Sequence, residues 1–257
     1  MPYSTTVGVD FAKNVIQISV VSGRGKELCN RSLTRKKFAE FLGKQKRSLV
    51  AFESCATSHY WARAAQRHGH DARIIPAKAV APFRQGHKTD SNDALAVAEA
   101  ARRPKIKEAP MKTVEQQGLQ AIHRSRELLI QESTALSNHV RSLLMEFGIV
   151  IKTGFASLFR AVPEILEDGE NELPDLYRPT LHRMYTRLLE LREDIEAMTV
   201  EVERLAKGHP ICSKLMALEG IGPIGALLLY ATMGSGAAFS SGREFAAYLG
   251  LAPKQYS

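Results

Sequence analysis

Four carboxylates in this chain have the type and placement for phosphodiester chemistry. Asp90 and Asp93 stand three residues apart in Lys88-Thr89-Asp90-Ser91-Asn92-Asp93-Ala94, where a helix begins. That spacing puts both on one helical face. Asp10 closes the apolar run from Thr5, and Glu53 directly follows Leu49-Val50-Ala51-Phe52. Carboxylates at strand ends project into the crevice where α/β proteins commonly place sites. Ligand sets made only of oxygen suit Mg²⁺ or Mn²⁺, and two such ions can activate the attacking and leaving oxygens of a phosphodiester. Each residue also has a plain structural role. Asp after a strand opens turns, and acidic residues at a helix start are worth about 1 kcal/mol as a cap. The combination is more specific than any member. Two strand ends and a helix start meeting at one crevice describe a site.

The elements that must position these groups follow from periodicity. Thr5 to Asp10, Val15 to Val21 and Leu28 to Leu33 read as three strands, followed by a helix over Lys36 to Leu42. A fourth strand from Leu49 to Phe52, a helix from His59 to His68, a strand from Ala72 to Ile75 and a helix from Ser91 to Ala101 complete the segment. Three hairpin-linked strands followed by alternating units is the order of the ribonuclease H fold, although periodicity alone supports only mixed α/β. The alanines at 94, 96, 98, 100 and 101 predict a slim helix that packs close to a sheet.

Farther along, the period changes. Leu181, Met184, Leu188, Leu191, Ile195, Met198, Val202 and Leu205 alternate steps of three and four, the pattern of a coiled-coil seam. Upstream, Ile122, Leu129, Leu136 and Leu143 repeat every seven residues, with Arg126 and Ser133 diluting the complementary positions. Two long helices are predicted, joined by a turn-rich connection carrying Pro163, Asp168-Gly169, Pro174 and Pro179. They either fold back on each other or pair with a second subunit. Near the end, Leu218-Glu219-Gly220-Ile221-Gly222-Pro223 has the form of a helix-hairpin-helix, whose second helix could hold a phosphate on its free N–H groups. A structural αα-turn uses the same glycines.

Composition narrows the class. The 257 residues suffice for about two domains with real cores. Lys and Arg number 35 against 27 Asp and Glu, a net charge of +8 that favours a polyanionic partner. Arg31, Arg35, Lys36, Lys37, Lys44, Lys46 and Arg47 concentrate that charge as a footprint for phosphates, or form an ordinary solvated face. Lys88, with Arg84, Gln85 and His87, either contacts a phosphate or offsets the acidic cluster. Cys29, Cys55 and Cys212 have no zinc spacing and read as buried thiols in a reducing compartment. Tyr60 and Trp61 are expected to pack rather than stack on bases. No signal peptide and no unbroken apolar span are evident, so a soluble cytoplasmic protein is expected.

Taken in order, Val7-Gly8-Val9-Asp10, Phe52-Glu53, the Lys88-to-Ala94 stretch and Gly220-Ile221-Gly222-Pro223 resemble the DEDD transposases of bacterial insertion sequences. The likeness is to the one-ten group and its eleven-eleven subgroup, which includes the pilin-gene invertase, and it covers essentially the whole chain. It implies a RuvC-like domain of the ribonuclease H fold over residues 1–105, a helical coiled-coil region over 106–208 and the start of a C-terminal transposase domain over 209–257. By that resemblance Asp10, Glu53, Asp90 and Asp93 bind divalent metal, DNA is the substrate, and an element-encoded noncoding RNA is a partner. A homo-oligomer through the coiled coil and a nucleoid location are expected with it. The family also implicates a C-terminal serine as nucleophile, in Gly-Leu-x-Pro-x-x-x-Ser-Ser-Gly. Here Gly250-Leu251-Ala252-Pro253-Lys254-Gln255-Tyr256-Ser257 matches that motif up to its first serine. Members usually continue beyond this point, so a truncated chain is expected, in which activity would suffer.

The resulting expectation is a DNA recombinase with Asp10, Glu53, Asp90, Asp93 and Ser257 as its chemical residues, and Lys88, Lys36, Lys37, Gly220 and Gly222 as DNA contacts. A junction-resolving or ribonuclease-H-like nuclease needs only the carboxylates. A non-catalytic nucleic-acid-binding fragment of a decayed element needs only the basic surface.

Overall fold

The structure, a computed structural model, describes residues 4–87 and 89–251 and divides into two compact units, residues 1–113 and 114–257. In the first, strands β1 (Thr5–Phe11), β2 (Val15–Ser22) and β3 (Glu27–Thr34) form an antiparallel meander. Helix α1 (Arg35–Lys44) leads to β4 (Leu49–Glu53), and α2 (Ser58–Arg67) leads to β5 (Asp71–Ile75). Both later strands add in parallel, giving the order β3-β2-β1-β4-β5. A short helix α3 (Ala77–Val80) and a 3-10 turn (Ala81–Phe83), neither foreseen from periodicity, precede α4 (Asp90–Ala101).

Strand alternation sorts the side chains between two cores. Val7, Val9, Val50 and Phe52 point toward α1 and α2, where they bury with Phe38, Leu42 and Trp61. Leu49, Ala51 and Ile75 point the other way, against Ala96, Val97, Ala100 and Ala101 of α4. Of the two neighbouring aromatics, Trp61 packs as expected whereas Tyr60 is more than half exposed.

In the second unit α5 (Val114–Met145) and α7 (Arg178–Lys207) pack along each other. The α7 seam is buried at Leu181, Leu188, Leu191 and Val202. On α5 the buried line runs through Ser133, Ser137, Val140 and Leu144, so Leu129, Leu136 and Leu143 flank it rather than form its centre. Small serines let the two helices approach closely there.

The connection between them is not all turn. It contains α6 (Phe155–Glu167), with Pro163 inside the helix. A proline removes the N–H that would reach the carbonyl four residues back, here Phe159. The Tyr185 hydroxyl donates to that carbonyl at 3.2 Å, supplying the missing partner. Amphipathicity outweighs the break, because Leu158 and Val162 bury fully against Val140, Leu144, Leu181 and Leu188.

Helices α8 (Pro210–Met216) and α9 (Pro223–Met233) form a second cluster with Leu119, Val202 and Ala206. Between them Gly220 takes φ +83° and Gly222 is the N-cap of α9, both exposed. Helix α10 (Gly242–Tyr248) follows. Among the described residues no helix is long and apolar enough to cross a membrane. Of the three cysteines only Cys212 is buried; Cys29 is half-buried and Cys55 is exposed in the turn after β4, contrary to the expectation of three buried thiols.

Candidate active site

Asp10 and Glu53 reach the same place by strand register. β1 and β4 are parallel, with Val9 beside Phe52, so the next residues on the two strands are Asp10 and Glu53. Asp10 lies two residues past Gly8, and Glu53 two past Ala51. Alternation therefore turns both toward the face that α4 covers.

Gly8 brings α4 to them. A Cβ at this position would overlap the Ala94 carbonyl oxygen and stand 2.5 Å from the Ala98 nitrogen. The helix backbone thus lies directly on β1, with Ala94 and Ala98 wholly buried. At its far end Arg102 donates to the carbonyls of Ser22 (2.7 Å) and Gly23 (3.1 Å), fixing the helix along the sheet. Its first turn is consequently held near the ends of β1 and β4.

That turn is capped by Thr89, whose hydroxyl accepts from the Asn92 N–H at 3.3 Å. The N-cap is therefore Thr89 rather than Asp90. Asp90 is the first helical residue, and its carboxylate is not consumed in capping. Asn92 Nδ2 donates to the His87 carbonyl at 2.8 Å, and Asn30 Nδ2 to that of Ser91 at 3.1 Å. These bonds tie the helix start to the loop before it and to β3.

Electrostatics records the convergence. Asp10 is half-buried and its carboxyl is pushed up to about 6, first by burial and then by the negative charges of Asp93, Asp90 and Glu53. Asp10 therefore feels the charge of three carboxylates from β4 and α4. Asp93 is nearly buried, and its Oδ1 forms an ion pair with Arg84 Nε. Of the two roles open to Arg84, offsetting the acidic cluster is the one its geometry displays. Cys55, just beyond Glu53, is exposed as a residue, but its thiol is partly shielded from water and so pushed up, and Asp10 and Glu53 add to the shift.

The donor set suits a hard divalent cation, being all carboxylate oxygen with mutual repulsion for such an ion to relieve. The arrangement is not closed. Among the described residues no three acidic, imidazole or thiol groups are gathered so as to enclose an ion, and Arg84 holds Asp93.

Sequence reasoning passed over a polar strip beside Asp10. Gln17 pairs with Asp10 across β1 and β2, is buried, donates to Asn30 Oδ1 at 2.6 Å and accepts from the Ser32 hydroxyl at 2.5 Å. Ser19 is fully buried and donates to Glu27 at 2.7 Å. The signal was available: Gln17 and Ser19 interrupt an apolar strand at a spacing of two. Gly8 was likewise visible only as part of a motif.

Other expected contacts lie elsewhere. Lys36 and Lys37 are exposed at the start of α1, and the whole basic run from Arg31 to Arg47 faces solvent. A shallow concavity of about 400 Å³ is lined there by Arg31, Lys37, Glu40 and Lys44. Gly220 and Gly222 belong to the second unit. Lys88 and Ser257 lie outside the described residues.

Comparison with known proteins gives the family. Residues 7–149 fit the family model of DEDD transposases of IS110 elements, described as "Transposase", and residues 212–257 fit "Transposase IS116/IS110/IS902 family". The chain is 36% identical over 252 residues to "Probable family 20 transposase" of Pseudomonas aeruginosa, covering 98% of this chain and 75% of that one. It is 33% identical over 251 residues to "Transposase for insertion sequence element IS1111A" of Coxiella burnetii, with coverages of 98% and 69%. With "Transposase for insertion sequence element IS1328" of Yersinia enterocolitica it shares 36% over 267 residues, covering 100% and 76%. The chain belongs to the IS110 family of insertion-sequence transposases.

Proposed function

We propose that this transposase cuts and rejoins DNA through a divalent-metal site on a ribonuclease-H-like domain, held by Asp10, Glu53, Asp90 and Asp93. The observation that carries the reading is the geometry: the register of β1 and β4 puts Asp10 beside Glu53, and Gly8 seats α4, which begins with Asp90 and Asp93, on β1; the upward shift of the Asp10 carboxyl agrees with it. Crowding like charges costs stability, and a site that binds cations is the function that repays it. Mg²⁺ or Mn²⁺ bound there would polarise the scissile phosphate and lower the pKa of the attacking group. The residues' own work is positional. β1 and β4 present Asp10 and Glu53 in register, Thr89 caps the helix so that Asp90 stays available, and Gly8 sets the distance between strand and helix.

Substrate grip falls to groups apart from the acids. The exposed Lys36 and Lys37, with Lys88, bind backbone phosphates, and the open Gly220-Ile221-Gly222 turn offers N–H groups to another. Ser257 is the candidate nucleophile for a covalent DNA link and an element-encoded noncoding RNA the guide; the α5–α7 seam is filled within the chain, so a homo-oligomer would use another face of these helices.

The test is strand cleavage and recombination on insertion-sequence ends with Mg²⁺ or Mn²⁺. Asp10→Asn and Asp90→Asn are each expected to lower the rate by at least about 100-fold while circular dichroism stays unchanged. Undiminished recombination by either folded variant contradicts the site. Cleavage without a protein–DNA adduct would assign the attack to water instead of serine.

A further inference from the structure

We infer that Arg84 is a built-in counter-ion that occupies Asp93 in the metal-free protein and must be displaced when a divalent cation binds. The inference rests on the metal reading of the four carboxylates. Among the described residues Arg84 is the cation that pairs with any of the four. It pairs with the most buried: the Asp93 side chain is 10% exposed, and that of Arg84 28%. A carboxylate so far from water is costly to leave unpaired, so some cation has to be there before the metal arrives. A guanidinium on a flexible stem can leave again, whereas the helix that carries Asp93 is pinned on β1 at Gly8 and by Arg102.

The surroundings suit such an exchange. Phe83, next to Arg84, packs against the cluster that contains Ile75, Val80 and Val97 and lies under the Arg103 guanidinium at 5.5 Å, so the backbone before Arg84 is anchored. The Arg84 N–H is bonded to the Ala81 carbonyl at 3.2 Å. Two residues later Gly86 takes φ +72°, where the chain turns toward Thr89. The Arg84 side chain can therefore swing out of the acidic cluster while strand, turn and α4 remain in place. A metal carries twice its charge and can contact several carboxylates at once, whereas Arg84 contacts one. Displacement is the direction electrostatics favours once the ion is supplied. A released guanidinium at the rim of the site is then available to a substrate phosphate.

Calorimetric titration of the metal-free chain with Mn²⁺ tests this without reference to activity. Arg84→Gln removes the competitor and is expected to tighten Mn²⁺ binding about tenfold. Arg84→Lys, which keeps the charge but loses the planar fork, should fall between Arg84→Gln and wild type. In thermal melts Arg84→Gln should unfold several degrees below wild type in chelator, and saturating Mn²⁺ should close that gap. Wild-type binding left unchanged or weakened by Arg84→Gln overturns this inference alone. Failure of every variant to bind Mn²⁺ overturns the metal reading and this inference with it.

Discussion

Asp10 makes the cost of the site measurable. Its carboxyl is pushed up to about 6 from an ordinary value of 3.8, by burial and by Asp93, Asp90 and Glu53. A folded-state pKa above the unfolded one means that the folded protein binds the proton more tightly. The associated stability is fully present below about pH 4 and is lost as pH rises through 6. Discounted for a half-exposed group, the loss is about 1 kcal/mol. Denaturant melts in chelator should therefore show stability falling between pH 4 and 7, and Asp10→Asn should flatten that fall. A wild-type profile already flat over this range would contradict the crowding. That Asp10 and Glu53 lie at strand ends and that Asp90 and Asp93 open a helix was legible in the sequence. Their meeting was not, because it depends on the pairing of β1 with β4 and on a glycine. Nor was the hold on Asp93, since Arg84 is nine residues away in sequence and nothing in the intervening chain specifies that its guanidinium turns back to the helix.

At the scale of elements, α4 is the piece on which the site depends. Gly8→Ala would force the helix off β1, and the expected loss is about 2–3 kcal/mol in chemical denaturation. Cleavage should fall with it, because Asp90 and Asp93 move with the helix. A variant of wild-type stability and activity would show that the strand–helix contact is dispensable. Thr89→Ala removes the cap and should cost about 1 kcal/mol. In the second unit, Tyr185→Phe leaves the Phe159 carbonyl without the partner that compensates Pro163, at about 1 kcal/mol of stability. The α6 helix itself was hidden from sequence reading by that proline. Its apolar face at Leu158 and Val162 was the better signal, and packing prevailed over local propensity. The heptads located α5 and α7 within the chain, but the burial of Ser133 and Ser137 at the α5 seam depends on what α7 presents to them.

At the scale of the whole molecule, we propose that the protein meets DNA through its net charge of +8 and the exposed basic run around α1. Binding should weaken steeply with salt, and Lys36→Ala with Lys37→Ala should lower the slope of log K against log salt by roughly 1–2. An unchanged slope would place the phosphate contacts elsewhere. The order of strands and helices in the first unit was readable because each element alternates or repeats cleanly. The central claim is that Asp10, Glu53, Asp90 and Asp93 hold the cation, and crystals soaked in Mn²⁺ test it most directly. Anomalous difference density is predicted between the ends of β1 and β4 and the first turn of α4, with the Arg84 guanidinium swung away from Asp93. Density at other carboxylates, with this crevice empty at saturating Mn²⁺, would contradict the account.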